Sequence, residues 1–402
     1  MVRLMLAPHL VFYKKNYHVL VFGRSPMNFL PLLTNLPVKP DGSMTVRHYQ
    51  TGQPVRISWK DGGMLTALEP ADAGAEENVW LAPGLLDLQV NGYGGIDLQG
   101  EAAISEEALL KFVRALRRDG CHRSLLTLIT APWERLLDYI RRYREIIQAN
   151  EELRRALVGW HIEGPFLSEE PGFRGAHNAD WMCDATAGHI RELRAATGGD
   201  PVLLTVAPER DGSQAAIEEA RRCGMVVSLG HTDASVSQVQ MAIASGASGF
   251  THLSNGCTQL LDRHDNILWR ILNEDALTAG VIPDGIHVSP ALFRVMHRAM
   301  DHGRIYWTTD AMAAAGSGPG RYRIGELELM VGEDLVVRNP ATGGFAGSAL
   351  TPIEGVRRGA AMLQCPWTQA WDFFSTRPAA FMGLPSELAP GSPAGFCLLR
   401  SS

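Results

Sequence analysis

A series of polar side chains stands where short apolar runs of this sequence end. LLDLQV (85–90) carries Gln89 and leads to Asn91, and LVGWHI (157–162) leads to Glu163. MVVSLG (225–230) leads to His231, and GFTHL (249–253) contains His252. LTAGVI (277–282) precedes Asp284 and His287, and RIYWTT (304–309) precedes Asp310. One histidine at the end of a buried strand is ordinarily a satisfied core residue. A whole set of such termini, gathered at one pole, reads as a site. Glu163, His231 and His252 supply one carboxylate and two imidazoles. That is the ligand set of a catalytic zinc centre with an open position for water. Iron, manganese or cobalt could take the same ligands. Asp310 would face them as the proton-moving carboxylate, and the combination describes metal-assisted hydrolysis of an amide or ester.

Such a set needs strands that all end on one side. Two further runs, SLLTLIT (124–130) and VLLTVA (202–207), bring the apolar series to eight. Stretches of helical period lie between them. In 105–120 the apolar residues fall at 109, 110, 113 and 116 with arginines opposite, and 134–150 repeats that design. The charged faces read as solvated helix surfaces. Runs without internal alternation imply strands buried on both faces, hence a parallel sheet. The fold class is therefore α/β, and eight strand–helix units predict a (β/α)8 TIM-like barrel. Periodicity cannot show closure, so a doubly wound open sheet is the alternative. From 45 to about 80 the pattern is short and strand-like, with a turn at Asp61-Gly62-Gly63.

Composition removes several classes of chemistry. Formal charge is -6, so no nucleic-acid surface is expected. Only Lys14, Lys15, Lys39, Lys60 and Lys111 are lysines, and none lies at a strand end. That excludes Schiff-base chemistry and a dinuclear centre bridged by a modified lysine. No G-x-S-x-G elbow occurs, and Gly347-Ser348 reads as a turn. The six cysteines are scattered without a C-x-x-C pair, which reads as free thiols in a reducing, cytoplasmic setting. No apolar run is long enough for a transmembrane helix, so no membrane partner is expected. Residues 1–43 lack a clean cleavable signal and are expected to be an N-terminal extension of doubtful order.

The chain resembles the N-acetylglucosamine-6-phosphate deacetylases, a branch of the amidohydrolase superfamily. The matching segments include APGLLDLQVNGYGG (82–95), HIEGPFL (161–167), GAHN (175–178), GHTDA (230–234), THLSN (251–255), PDGIHV (283–288), TTDAMAAAG (308–316) and AGSALT (346–351), in the family's order. The resemblance implies Glu163, His231 and His252 as ligands of one divalent ion, and Asp310 as catalytic acid/base. It implies substrate contacts from His177, Asn255, Gly256, Arg263, His287, Ala346, Gly347 and Ser348, and a homodimer with phosphate contacts across the interface. It also implies a small split β-sandwich domain. The expected division is 44–82 for its N-terminal part, 83–385 for the barrel, and 386–402 for an abbreviated return.

Gln89 and Asn91 form a candidate strand-1 site. Superfamily members with two metals carry H-x-H there, which Gln89-Val90-Asn91 cannot supply, so one ion is expected. Gly256-Cys257 and His264-Asp265-Asn266 depart from the family's loops, as does Gly395 near the end of the chain. The reaction implied is removal of acetate from N-acetylglucosamine 6-phosphate, giving glucosamine 6-phosphate. The alternatives are another N-acetylated amino sugar, such as the galacto epimer, or a metal- and phosphosugar-binding barrel without turnover.

Overall fold

Eight parallel strands stand in sequence order around one axis in the computed structural model, which describes residues 33–61, 63–72, 74–300 and 302–401. They are β1 (Leu85–Val90), β2 (Cys121–Ile129), β3 (Leu157–Glu163), β4 (Val202–Val206), β5 (Val226–Leu229), β6 (Ala247–Phe250), β7 (Thr278–Val281) and β8 (Ile305–Trp307). Each coincides with one of the eight apolar runs. The side chains of β1 and β4 are buried along their whole length, as strands covered on both faces require.

The helices between them carry their own start and stop signals. In Glu106–Arg118, Ser105 accepts a hydrogen bond from the Ala108 amide. Glu106 and Glu107 lie in its first turn, and Arg117 and Arg118 in its last, matching the helix dipole. Val236–Ser245 opens on a capping box made by Ser235 and Gln238.

The seam between β8 and β1 is closed differently from the rest. It has one parallel bridge, Val90 with Ala311, plus the Asn91 amide on the Ala311 carbonyl at 2.7 Å. The other fastening is the buried carboxylate of Asp87. It accepts from the Thr308 and Thr309 hydroxyls at 2.5 Å each, and from the Thr309 amide at 3.2 Å. Closure excludes the open-sheet alternative. At the other end of the barrel, Leu86, Leu88, Leu125, Leu203 and Tyr306 pack with Ala379 and Met382 of helix Thr376–Met382.

A six-stranded sheet stands beside the barrel, with Leu33–Asn35, Phe396–Ser401, Val79–Pro83, Gly42–His48, Pro54–Lys60 and Met64–Pro70 in spatial order. Its own core contains Val46, Ile57, Trp59, Leu81 and Phe396. The first and last described strands therefore pair in one sheet. Leu33–Asn35 comes from the stretch expected to be an extension, whereas residues 1–32 of that stretch lie outside the described residues. A three-stranded sheet (Gly320–Ile324, Leu327–Val331, Val337–Arg338) follows β8. It packs on Met312, Ala313 and Ala314, just past Asp310. No helix among the described residues is long and apolar enough to cross a membrane.

Candidate active site

The strand ends converge as the barrel geometry requires. Glu163 closes β3, His231 lies two residues past β5, His252 two past β6 and Asp310 three past β8. His231, His252 and Asp310 adopt φ values of 51°, 33° and 50°. Left-handed backbone is costly for residues with a Cβ, and it concentrates at functional sites.

Glu163 Oε1 lies 2.9 Å from His252 Nε2 and 3.3 Å from His231 Nε2, and the two Nε2 atoms are 3.2 Å apart. Tetrahedral ligands held at ~2.0–2.1 Å from an ion stand about 3.3 Å from one another, so this triangle fits a small divalent cation. The tautomer of one ligand is set by its second nitrogen. His231 Nδ1–H donates to the Phe173 carbonyl at 2.8 Å, which turns Nε2 toward the other two side chains. These three side chains are the one His/Cys/Asp/Glu group among the described residues able to hold an ion. Burial disfavours a charge on Glu163, yet hydrogen bonds from His231 and His252 outweigh it and hold the carboxyl well below its ordinary value. Burial likewise opposes charge on His252, but the Glu163 hydrogen bond and charge raise it.

Gln89, from β1, donates Nε2–H to Glu163 Oε1 at 3.0 Å. An amide thus stands against the buried carboxylate, at the strand-1 position where an imidazole would be needed for a second ion. Asn91 donates to Asp310 Oδ1 at 2.7 Å. Burial and then the Glu163 charge push Asp310 up to about 7, against the pull of His252, His287 and the Asn91 hydrogen bond. A carboxyl so placed can take and return a proton near neutral pH.

His177 stacks edge-on against His231, with centroids 4.5 Å apart. Burial and the neighbouring His231 push it down to about 3, so the ring is neutral. His287 Nδ1 meets Asp284 Oδ2 at 2.6 Å, and Asp284 Oδ1 accepts from the amides of Ile286 and His287. Burial opposes charge on His287, but the Asp284 carboxylate raises it. Asn255 turns back to the His252 carbonyl at 3.2 Å. Gly256 has φ 61°, and a Cβ there would stand 2.9 Å from His231 Nδ1, so only glycine lets this loop lie over the ligand.

The remaining expected contacts are placed as follows. Ser348 is buried, with its Oγ donating to the Thr309 carbonyl at 2.6 Å and its amide to the Asp310 carbonyl at 2.7 Å. Ala346 and Gly347 precede it, and the Ser348 amide thus holds the backbone of Asp310. Arg263 is exposed, and no hydrogen bond or ion pair joins its side chain to the cluster. Leu260, 90% exposed, and Trp269, 44% exposed, lie near Arg263 in sequence.

Asp87, Thr130 and the Phe173 carbonyl also serve the site without having been singled out from sequence. Thr130 ends an apolar run with a hydroxyl, so the strand-end rule applied to it as well. Asp87 lies inside its run, where nothing distinguishes a closure residue from a core polar one.

Searched against known families, the chain matches no family model. Individual proteins do match. It is 30% identical over 349 residues, 84% of each chain, to the N-acetylglucosamine-6-phosphate deacetylase of Vibrio furnissii. The chain belongs to the N-acetylglucosamine-6-phosphate deacetylase family. That family lies within the amidohydrolase superfamily. A second relative, 30% identical over 84% of this chain and 89% of its own, is the N-acetylgalactosamine-6-phosphate deacetylase of Escherichia coli O157:H7. Among solved structures, a Mycobacterium smegmatis N-acetyl-D-glucosamine-6-phosphate deacetylase variant, in complex with N-acetyl-D-glucosamine-6-phosphate, superposes with a TM-score of 0.78 at 29% identity. That match covers 89% of this chain and 95% of the other. Superfamily neighbours use a divalent metal, in keeping with the Glu163–His231–His252 cluster.

Proposed function

We propose that this protein removes acetate from N-acetylglucosamine 6-phosphate, giving glucosamine 6-phosphate. The observation that carries the reading is the Glu163–His231–His252 triangle with Asp310 close enough to shift with it. Glu163, His231 and His252 would hold one ion, for which zinc suits the donor set, with iron, manganese or cobalt as its chemical equivalents. Such an ion lowers the pKa of water and polarises a carbonyl. Asp310 takes the proton of the attacking water and returns it to the sugar nitrogen as the amide bond breaks. Asn91 keeps its carboxylate aimed. His177 contacts the acetamide, and Asn255, Gly256 and His287 contact the phosphosugar.

Arg263 supports a homodimer in which each phosphate is reached from the neighbouring subunit. Its guanidinium is exposed and has no ion pair among the described residues, and an arginine fork suits phosphate. The proposed division is a β domain from 44–82 and 386–402, joined in its sheet by Leu33–Asn35 and residues 42–43, around a barrel of 83–385. Six free cysteines support a cytoplasmic setting. The galacto epimer is the second reading, favoured by the equal identity to the Escherichia coli relative and by the altered loop at 256–266. Acetate release from N-acetyl hexosamines of both configurations, with and without the 6-phosphate, decides between them. No release from any of them overturns the enzymatic reading and leaves a binding barrel.

A further inference from the structure

Arg270 ties together two loops at the catalytic pole. It stands on the short helix Ile267–Leu272, and its side chain is only 14% exposed. Nε donates to Asp265 Oδ1 at 2.7 Å. Nη1 donates to the Ala234 carbonyl at 2.9 Å, and to the Asp233 carbonyl and Oδ1 at 3.3 and 3.2 Å. One end of this brace is the loop that follows His231. The other is 262–266, the loop that carries Arg263 and departs from the family's sequence. A planar guanidinium holds such forked partners where a lysine could not.

The two ends are fastened unequally. Residues 232–233 have a second anchor, because Glu209 accepts from the Thr232 hydroxyl and, at 3.0 Å, from the Asp233 amide. In 262–266 the further contacts are local. Asp262 Oδ1 accepts from the amides of His264 and Asp265, and Trp269 Nε1 donates to the Arg263 carbonyl at 3.2 Å. Residues 262–265 are exposed. Ile267 and Ile271 bury one face of the helix, and Arg270 adds the polar link that sets the loop against 233–234.

We infer that Arg270 is a positioning residue that preorganises the Arg263 arm for the phosphate of the substrate. This rests on the deacetylase reading, with Arg263 as a phosphate contact. An arginine on an unfastened loop must be ordered when the anion binds, and that ordering subtracts from affinity. A loop already held loses less. The effect belongs to binding, so it should appear in KM, and only when a phosphate is present. The ion should not feel it, because Glu209 keeps the segment after His231 in place.

The test uses the metal-loaded, full-length protein. Arg270→Gln should raise KM for N-acetylglucosamine 6-phosphate roughly 3- to 10-fold, the scale of ordering a side chain or two. Its kcat, its bound metal and its kcat/KM for unphosphorylated N-acetylglucosamine should stay unchanged. Asp265→Asn breaks only the exposed end of the brace and should shift KM the same way by less. It also covers the case in which Arg270→Gln does not fold. In an Arg263→Ala background neither change should have a further effect on the phosphorylated sugar. Amide hydrogen exchange should quicken at 262–266 in Arg270→Gln and stay the same at 231–233. Equal rises in KM with and without the phosphate overturn the inference. So do loss of metal, an undiminished effect in Arg263→Ala, or unchanged exchange at 262–266. If the unmutated protein releases no acetate from either sugar, the deacetylase reading fails by itself. Binding of inorganic phosphate then decides the positioning role: weakened in both Arg263→Ala and Arg270→Gln it stands, and indifferent to either it falls.

Discussion

Asn91 Nδ2 donates to Asp310 Oδ1 across 2.7 Å, joining the end of the first barrel strand to the loop after the last. The same two segments meet through backbone at the Asn91 amide and the Ala311 carbonyl. The proton-moving carboxylate is thus mounted on the seam where the barrel closes, and its ionisation is tied to that closure.

Asp310→Asn should retain the bound ion, since Asp310 is not one of the three converging donors. It should lose turnover by roughly 10²- to 10⁴-fold, the usual contribution of a general acid–base group. Metal analysis beside acetate release checks this, and near-normal activity removes Asp310 from its assigned role.

The pH profile should fall on the acid side as Asp310 takes a proton, because only the carboxylate can accept one from water. Burial and Glu163 place it at about 7 without an ion. A bound cation favours the charged form, so the limb of kcat/KM should lie below that value. Asn91→Ala removes a hydrogen bond that lowers the pKa, so the limb should move up. An unmoved limb separates Asn91 from Asp310.

Chelation should abolish activity and lower the Tm, because an ion that binds only the folded chain stabilises it by mass action. Readdition should restore both at one equivalent per chain, since Gln89 occupies the place of the strand-1 imidazoles. A requirement for two equivalents would falsify the single-ion reading. His252→Ala should prevent recovery.

Asp87 tests the seam. Burial, outweighing its hydrogen bonds to Thr308 and Thr309, raises this carboxyl from 3.8 to about 6. The folded chain then binds its proton more tightly than the unfolded chain, so this group adds stability as pH falls from about 7 toward 4. Denaturant titrations should show that slope reduced in Asp87→Asn. Asp87→Ala should cost about 3 kcal/mol at pH 7, because it strands several buried donors.

Arg263→Ala should raise KM for the phosphorylated substrate by roughly 10-fold or more while barely affecting the unphosphorylated sugar, as expected for a charged hydrogen bond. If the arginine acts across a dimer interface, mixing Arg263→Ala with Asp310→Asn subunits should regenerate some activity. Absence of complementation in exchanged dimers places Arg263 within its own subunit or outside the site.

Much of the site was legible because barrel chemistry lies at strand ends, and strands buried on both faces announce themselves as unbroken apolar runs. Glu163, His231, His252 and Asp310 were found in this way before any resemblance was invoked. The 346–348 segment was harder. Sequence brings it near the site, and the structure adds that the Ser348 side chain bonds the Thr309 carbonyl and its amide that of Asp310. Sequence names a polar residue near a site. It does not say which partner that residue's hydrogen bond has taken.

The sequence by itself determined the class of chemistry: one carboxylate and two imidazoles for an ion, a lone aspartate for the proton, and no lysine at the strand ends. It also determined eight strands, since their periodicity is local. Tertiary structure alone decided closure through Asp87, the turning of His231 by the Phe173 carbonyl, and the pairing of Leu33–Asn35 with Phe396–Ser401 in one sheet. Each depends on hydrogen bonds between residues distant in sequence, and their direction is fixed only when the backbone brings donor and acceptor within about 3 Å.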